Sequence, residues 1–184
     1  MALFTGKGDG GTTKTFGCNQ RISKSSATAE ALGALDEINS FLGLCKIKTE
    51  ELIITNSKLR IKDVVHGIQE NLFIIQAQVA GADKQIEESK VKRAEEIING
   101  IEKELPPIKS FFISGGTELA ALFDIARTQA RRAERRVVQV SEEGSAKLGE
   151  HTLPYLNRLS SLLYALARYS NHLAGITEKP PSYE

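Results

Sequence analysis

Residues 117–140 read TELAALFDIARTQARRAERRVVQV. Leu119, Leu122, Phe123, Ala126, Ala130, Ala133, Val137 and Val140 recur at steps of three and four. Only an α-helix keeps such a series on one side. Thr117 stands where an N-cap is needed, and Glu118 falls in the positive first turn. Arg127, Arg131, Glu134 and Arg135 follow at i, i+4, i+7 and i+8, along one flank of the same helix. They border the apolar stripe rather than face away from it. A guanidinium beside a buried seam needs an anionic partner, because its charge is costly to desolvate. Asp36 or Glu37 of an earlier helix would serve, and so would a triphosphate. A solvated basic face has the same spacing. A nucleic-acid patch is disfavoured by the lack of interleaved aromatics.

Outward from this segment the same period returns. Ala31, Leu35, Ile38 and Leu42 predict a helix over residues 27–46. Ile61, Val65, Ile68, Leu72, Ile75 and Val79 predict one over 57–82, with a seam close to a heptad. Val91, Ala94, Ile98 and Ile101 predict a third over 87–105, stopped by Pro106 and Pro107. Leu156, Leu159, Leu163, Leu166 and Leu173 predict the last over 152–174. Short links and no strand-hairpin pattern give an all-α fold, a five-helix up-and-down bundle. The expectation is a single domain over 1–184, with a loop at 1–25, the bundle at 26–175 and a loose polar tail at 176–184.

Composition narrows the function. The 184 residues carry 24 basic against 23 acidic side chains, so no global charge calls for nucleic acid or an anionic membrane. Cys18 and Cys45 form no CxxC pair, and His66, His151 and His172 are scattered, so no metal site is expected. No run approaches the roughly 20 apolar residues of a membrane span. With neither signal nor transit segment at the start, a cytoplasmic protein is expected.

The segment Thr5-Gly6-Lys7-Gly8-Asp9-Gly10-Gly11-Thr12-Thr13-Lys14 is rich in backbone donors, hydroxyls and charge. It contains GxGxxG and nearly a Walker A spacing, but no preceding strand, and Thr12 sits where the lysine belongs. What remains is the shared physics: N–H groups that close on phosphate oxygens, with Lys7, Lys14 and Lys24 around a polyphosphate. A solvated N-terminus explains the segment equally well. In the last helix, Asn157, Ser161, Tyr164 and Arg168 share a polar edge. They suit either ligand contact or a link between helices. Phe111 and Phe112 are either a core plug or an apolar wall for a flat ligand.

LFTGKGDGGTT, Lys24, AEALGALDEINSFLGL, IQENLF, FFISGG, ARTQARRAERRVV and YLNRLSSLLYALAR occur in this order over most of the chain. Together they resemble the PduO-type ATP:cob(I)alamin adenosyltransferases. The resemblance implies an enzyme that moves the 5′-deoxyadenosyl group of ATP to the cobalt of cob(I)alamin, with Mg2+ on the phosphates. It implies a homotrimer with sites between subunits and a glycine-rich N-terminal loop that orders on ATP. Thr5, Gly6, Lys7, Gly8, Thr13, Lys14 and Lys24 are then ATP contacts, as are Arg131, Glu134, Arg135 and Asn157. Lys24 and Arg131 act on the phosphates, Asp36 and Arg127 form an intersubunit ion pair, and Phe111 presses on the corrinoid. A cob(II)alamin reductase and a B12-dependent enzyme are further partners implied. The chain departs from the pattern at Thr28, Ser114, Asp124 and Ser161, positions that touch loop rigidity, subunit contacts and the corrinoid side. Two rivals stay open: an ATP-using enzyme with another acceptor, and a non-enzymatic helical oligomer that binds acids or RNA.

Overall fold

The computed structural model describes residues 3–16, 20–49 and 59–183. Its helices are α1 (Ala27–Lys48), α2 (Ile61–Val79), α3 (Glu88–Glu104), α4 (Glu118–Glu142) and α5 (Thr152–Leu173). All five lie where the apolar period places them. The expected start of α2 at Ser57 lies outside the described residues. Its end comes at Val79, where Gly81, at φ +95°, turns the chain away.

Caps act where the sequence supplies oxygens. Ser26 accepts from the Ala29 N–H at 3.3 Å, and Thr117 from the Ala120 N–H at 3.1 Å. Lys46 and Lys48 close α1 against its negative end. Ile61, Val65, Ile68, Leu72, Ile75 and Val79 all bury on α2, so the heptad-like seam is real. On α4, the alanines at 126, 130 and 133 are fully buried and let neighbouring backbones approach closely.

One contiguous apolar core joins the five helices. α4 packs against both α1 and α5, α3 against α5, and α2 against α1. α2 and α3 do not pack along one another, and α2 meets α5 only sparsely. The bundle is therefore a ring with one open seam. No described helix is long and apolar enough to cross a membrane.

The N-terminal region differs from the loop expected. Thr12–Lys14 (β1) and Arg21–Ser23 (β2) pair antiparallel, in the register Thr12↔Ser23, Thr13↔Ile22, Lys14↔Arg21. Arg21 locks the pair by donating to Thr12 Oγ1 at 2.7 Å and to Thr12 O at 2.6 Å. A three-residue strand is too short for an alternation pattern to reveal it. The tail differs as well. Ile113 N–H donates to Lys179 O at 2.9 Å, and Arg168 Nε donates to Glu178 Oε2 at 2.8 Å. A proline-containing polar tail reads as loose only until its buried partner is seen.

Candidate functional site

The site begins with the loop between α3 and α4. Arg168 lies under it, only 5% exposed against 16% for Glu178. Its Nη2 donates to Pro106 O at 3.1 Å, and its guanidinium stacks 5.1 Å from the Phe112 ring centre. One turn on, Asn171 donates to Gly115 O at 2.8 Å and accepts from Thr117 N–H at 2.9 Å. Arg168 and Asn171 thus hold both ends of the loop, while Phe112 packs inward and Phe111 stands 81% exposed.

Phe111 borders a cleft of about 590 Å³ between this loop, α4 and α5. Arg127, Arg131, Asp124 and Tyr164 line it as well. Its mixture of apolar wall and convergent polar groups is that of a small-molecule site. Asp124 accepts from Gly115 N–H at 3.0 Å. Burial raises its carboxyl above the usual range, opposed by that N–H bond and by the Arg127 charge. Burial also raises Tyr164. The Arg127 Nε is buried with no hydrogen-bond partner among the described residues.

The arginines of α4 divide into files. Arg132 pairs with Glu37 and Arg136 with Glu30 at 3.5 Å, both carboxylates coming from α1. Arg131 and Arg135 are exposed and make no ion pair among the described residues. Glu134 accepts from Asn157 Nδ2 at 3.2 Å, and Asn157 Oδ1 accepts from Arg158 at 2.9 Å. So Glu37 does meet an α4 arginine, as the flanking spacing allowed, but it meets Arg132.

The glycine-rich segment forms a separate cluster. Asp9 N–H donates to Gly6 O, Gly11 N–H to Gly8 O, and Lys24 N–H to Gly11 O at 2.9 Å. A Cβ on Gly8 would lie 3.2 Å from Lys24 Nζ, so that ammonium rests against the glycine backbone. Lys7 N–H reaches Thr5 Oγ1 at 3.4 Å. Thr13 and Lys14 sit on β1. Gly8 and Lys24 are thereby brought together, as are Phe111, Arg127 and Arg131 in the cleft.

Asp36 and Arg127 form no ion pair within the protomer among the described residues, and they line different depressions. Asp36 lies on the outer face of α1, in a shallow depression with Leu32, Gly33, Phe73, Gln76, Ala77 and Ala80. Phe73 is 62% exposed there. Among the described residues no cluster of three His, Cys, Asp or Glu side chains could hold a metal ion.

Asn171 and Glu178 were not singled out by the sequence, whereas Tyr164 stood on the polar edge of the last helix and Asp124 among the departures from the family pattern. Asn171 carried one faint signal, a polar side chain one step from the apolar period of α5. Glu178 carried none.

A family model described as cobalamin adenosyltransferase matches residues 3–170. The corrinoid adenosyltransferase PduO of Citrobacter freundii is 38% identical over 94% of this chain and 50% of its own length. The chain thus spans about half the length of that relative, and 49% of the Salmonella typhimurium PduO. The Bacillus subtilis corrinoid adenosyltransferase is 37% identical, over 96% of this chain and 90% of that protein. The fold superposes, with a TM-score of 0.88 and 30% identity, on a variant PduO-type ATP:corrinoid adenosyltransferase from Lactobacillus reuteri complexed with cobalamin and ATP. That match covers 99% of this chain and 97% of the other.

Proposed function

Because the chain belongs to the cobalamin adenosyltransferase family, we propose that it transfers the 5′-deoxyadenosyl group of ATP to the cobalt of cob(I)alamin, yielding adenosylcobalamin and triphosphate. The observation that carries this reading is the cleft that an exposed aromatic, Phe111, shares with Arg127 and Arg131 of α4, the second of which makes no ion pair among the described residues. It joins an apolar wall for a flat corrinoid to charge for a leaving triphosphate.

Cob(I)alamin is itself a strong nucleophile, so the chain needs no serine or cysteine to attack C5′ of ATP. Cobalt–carbon bond formation and C5′–O cleavage are concerted, and the negative charge collects on the triphosphate. Arg131, Arg135 and Lys24 stabilise that charge, and the glycine-rich segment, with Thr5, Gly6, Lys7, Gly8, Thr13 and Lys14, supplies backbone donors and hydroxyls. Glu134 and Asn157 position the nucleotide. Mg2+ arrives on the phosphates as part of the substrate. Phe111 lies against the lower corrinoid face, where it excludes water and the tethered base.

The assembly is a homotrimer, with Asp36 of one subunit reaching Arg127 of the next. The buried, unpartnered Arg127 Nε and the exposed Phe73 beside Asp36 support this arrangement. We read residues 1–184 as one domain of a cytoplasmic enzyme, fed by a cob(II)alamin reductase and drawn on by a B12-dependent enzyme.

The test is anaerobic absorbance with chemically reduced cobalamin, ATP and Mg2+. Loss of the cob(I)alamin bands and growth of a photolabile alkylcobalamin spectrum are expected only with enzyme and ATP. No change with folded protein sinks the reading. Phe111→Ala is expected to lower kcat for the cob(II)alamin-dependent reaction about a hundredfold, the scale of a misplaced reactant, with KM for ATP nearly unchanged. Equal losses in both parameters would remove Phe111 from the corrinoid wall. Asp36→Asn is expected to weaken subunit association by roughly 2–5 kcal/mol, the usual cost of leaving one partner of a buried pair alone. Sedimentation that matches the parent would show the pair is incidental.

A further inference from the structure

The tail after α5 meets the loop between α3 and α4 on either side of a single buried cation. Glu178 Oε2 accepts from Arg168 Nε at 2.8 Å. The same guanidinium donates through Nη2 to Pro106 O at 3.1 Å, and it lies 5.1 Å from the centre of the Phe112 ring. Beside it, Ile113 N–H donates to Lys179 O at 2.9 Å. One arginine thus touches the tail, the start of the loop and the residue that follows Phe111.

Phe111 cannot place itself. Its ring is 81% exposed, so little packing holds it and its direction follows from the backbone around it. On its C-terminal side that backbone is held at Phe112 and Ile113. The tail supports both, Ile113 directly and Phe112 through Arg168.

Arg168 is only 5% exposed, and a guanidinium so far from water needs its charge met. Glu178, at 16%, is the carboxylate that meets it. Among the described residues the hydrogen bonds of the Arg168 side chain run to loop and tail and to no other helix. An apolar side chain would serve the bundle as well, since a buried ion pair adds little net stability. What the pair adds is geometry. If Glu178 is removed, the uncompensated cation must turn toward water and give up Pro106 and Phe112.

Glu178 is also felt within the cleft. Burial is the chief reason that Asp124 and Tyr164, both on the cleft wall, are raised, and the Glu178 charge raises both further. The tail carboxylate therefore stands behind the cleft.

We propose that Arg168 and Glu178 are positioning residues for adenosyl transfer, with the tail acting as a strap that sets Phe111 against the lower face of the corrinoid. Neither residue touches the reacting atoms. The proposal rests on the corrinoid reading of the cleft given above.

The test uses Glu178→Ala in the full chain, at temperatures well below its melting midpoint, and has three readouts. Without ligand, amide exchange at Ile113 should become about tenfold faster, because the bond to Lys179 opens with the strap. With cob(II)alamin and ATP, electron paramagnetic resonance should show a smaller fraction of cobalt without its lower ligand than in the parent. In turnover, kcat for the cob(II)alamin-dependent reaction should fall about tenfold, part of the loss expected for Phe111→Ala, with KM for ATP unchanged. Chemically reduced cob(I)alamin needs no help to shed a lower ligand, so its kcat should stay within about threefold of the parent. Glu178→Gln keeps an acceptor of the same length without the charge. It should fall between parent and Glu178→Ala in every readout, and it tests the strap even if Glu178→Ala folds poorly. Unchanged exchange at Ile113 overturns the proposal. So does a parent-like resonance spectrum in both variants, which leaves the corrinoid reading standing. Equal losses with cob(I)alamin and cob(II)alamin overturn it too, since a merely structural role gives that result. A parent that leaves the cob(II)alamin spectrum unchanged instead sinks the corrinoid wall itself, and the strap's purpose with it.

Discussion

Arg131→Ala is expected to lower kcat/KM for adenosyl transfer by roughly 10²–10³, the usual cost of removing one donor that meets transition-state charge. Helical content and thermal midpoint should stay at parent values. Arg131 borders the cleft, is exposed, and makes no ion pair among the described residues, so the fold does not depend on it. Its neighbour provides the control. Arg132→Ala breaks the link to Glu37 across α1 and α4. Both partners are about half exposed, so that loss should cost about 0–1 kcal/mol of stability. Catalysis in this second variant should stay within about threefold of the parent, less than 1 kcal/mol of transition-state stabilisation. If the two variants exchange behaviour, the division of the helix into a bonding file and a ligand file is wrong.

Among the described glycines, Gly116→Ala should be the most damaging alanine substitution. Gly116 has φ +107°, where an L side chain is strained. Its Cβ would lie 2.3 Å from Asn171 Oδ1 and 2.8 Å from Asn171 Cγ. Asn171 cannot step aside cheaply, because it is buried and bonded to both Gly115 and Thr117. Displacing it leaves polar groups unpaired, at roughly 1–3 kcal/mol each, on top of about 1–3 kcal/mol of backbone strain. A loss on the order of 4 kcal/mol corresponds to a melting midpoint about 8–16 °C lower for a chain of this size. Gly115→Ala lacks the collision, since nothing lies within 4 Å of its Cβ, although its φ of +117° still strains it. Comparing the two melts separates clash from strain. Equal midpoints for both variants would show that Asn171 yields.

The helices were legible because Ile61 to Val79 and Leu119 to Val140 repeat with a period that no other structure satisfies. The proline pair at 106–107 and the oxygen of Thr117 marked boundaries for local reasons that a sequence carries openly. The hairpin was not legible, since β1 and β2 are short and are fixed by the reach of Arg21 to Thr12. In the site, the flanking arginines stood out by spacing alone. Which of them would spend their charge on Glu30 and Glu37 was hidden, because that depends on how α1 is rotated against α4. The grip of Arg168 on Glu178 was hidden for a similar reason. A buried ion pair between a helix and a tail has no period to betray it.

The paired arginines of α4 also bear on what a protein of almost zero net charge can attract. Arg132 and Arg136 are paired with α1 carboxylates, while Arg131 and Arg135, their immediate neighbours in sequence, make no ion pair among the described residues. One helix therefore has a neutral side and a cationic side, separated by a single residue's rotation of about 100°. The molecule as a whole drifts little in an electric field, yet a polyanion arriving near this helix meets a steep local potential. Affinity for anions here is a matter of orientation, and a titration of total charge would miss it.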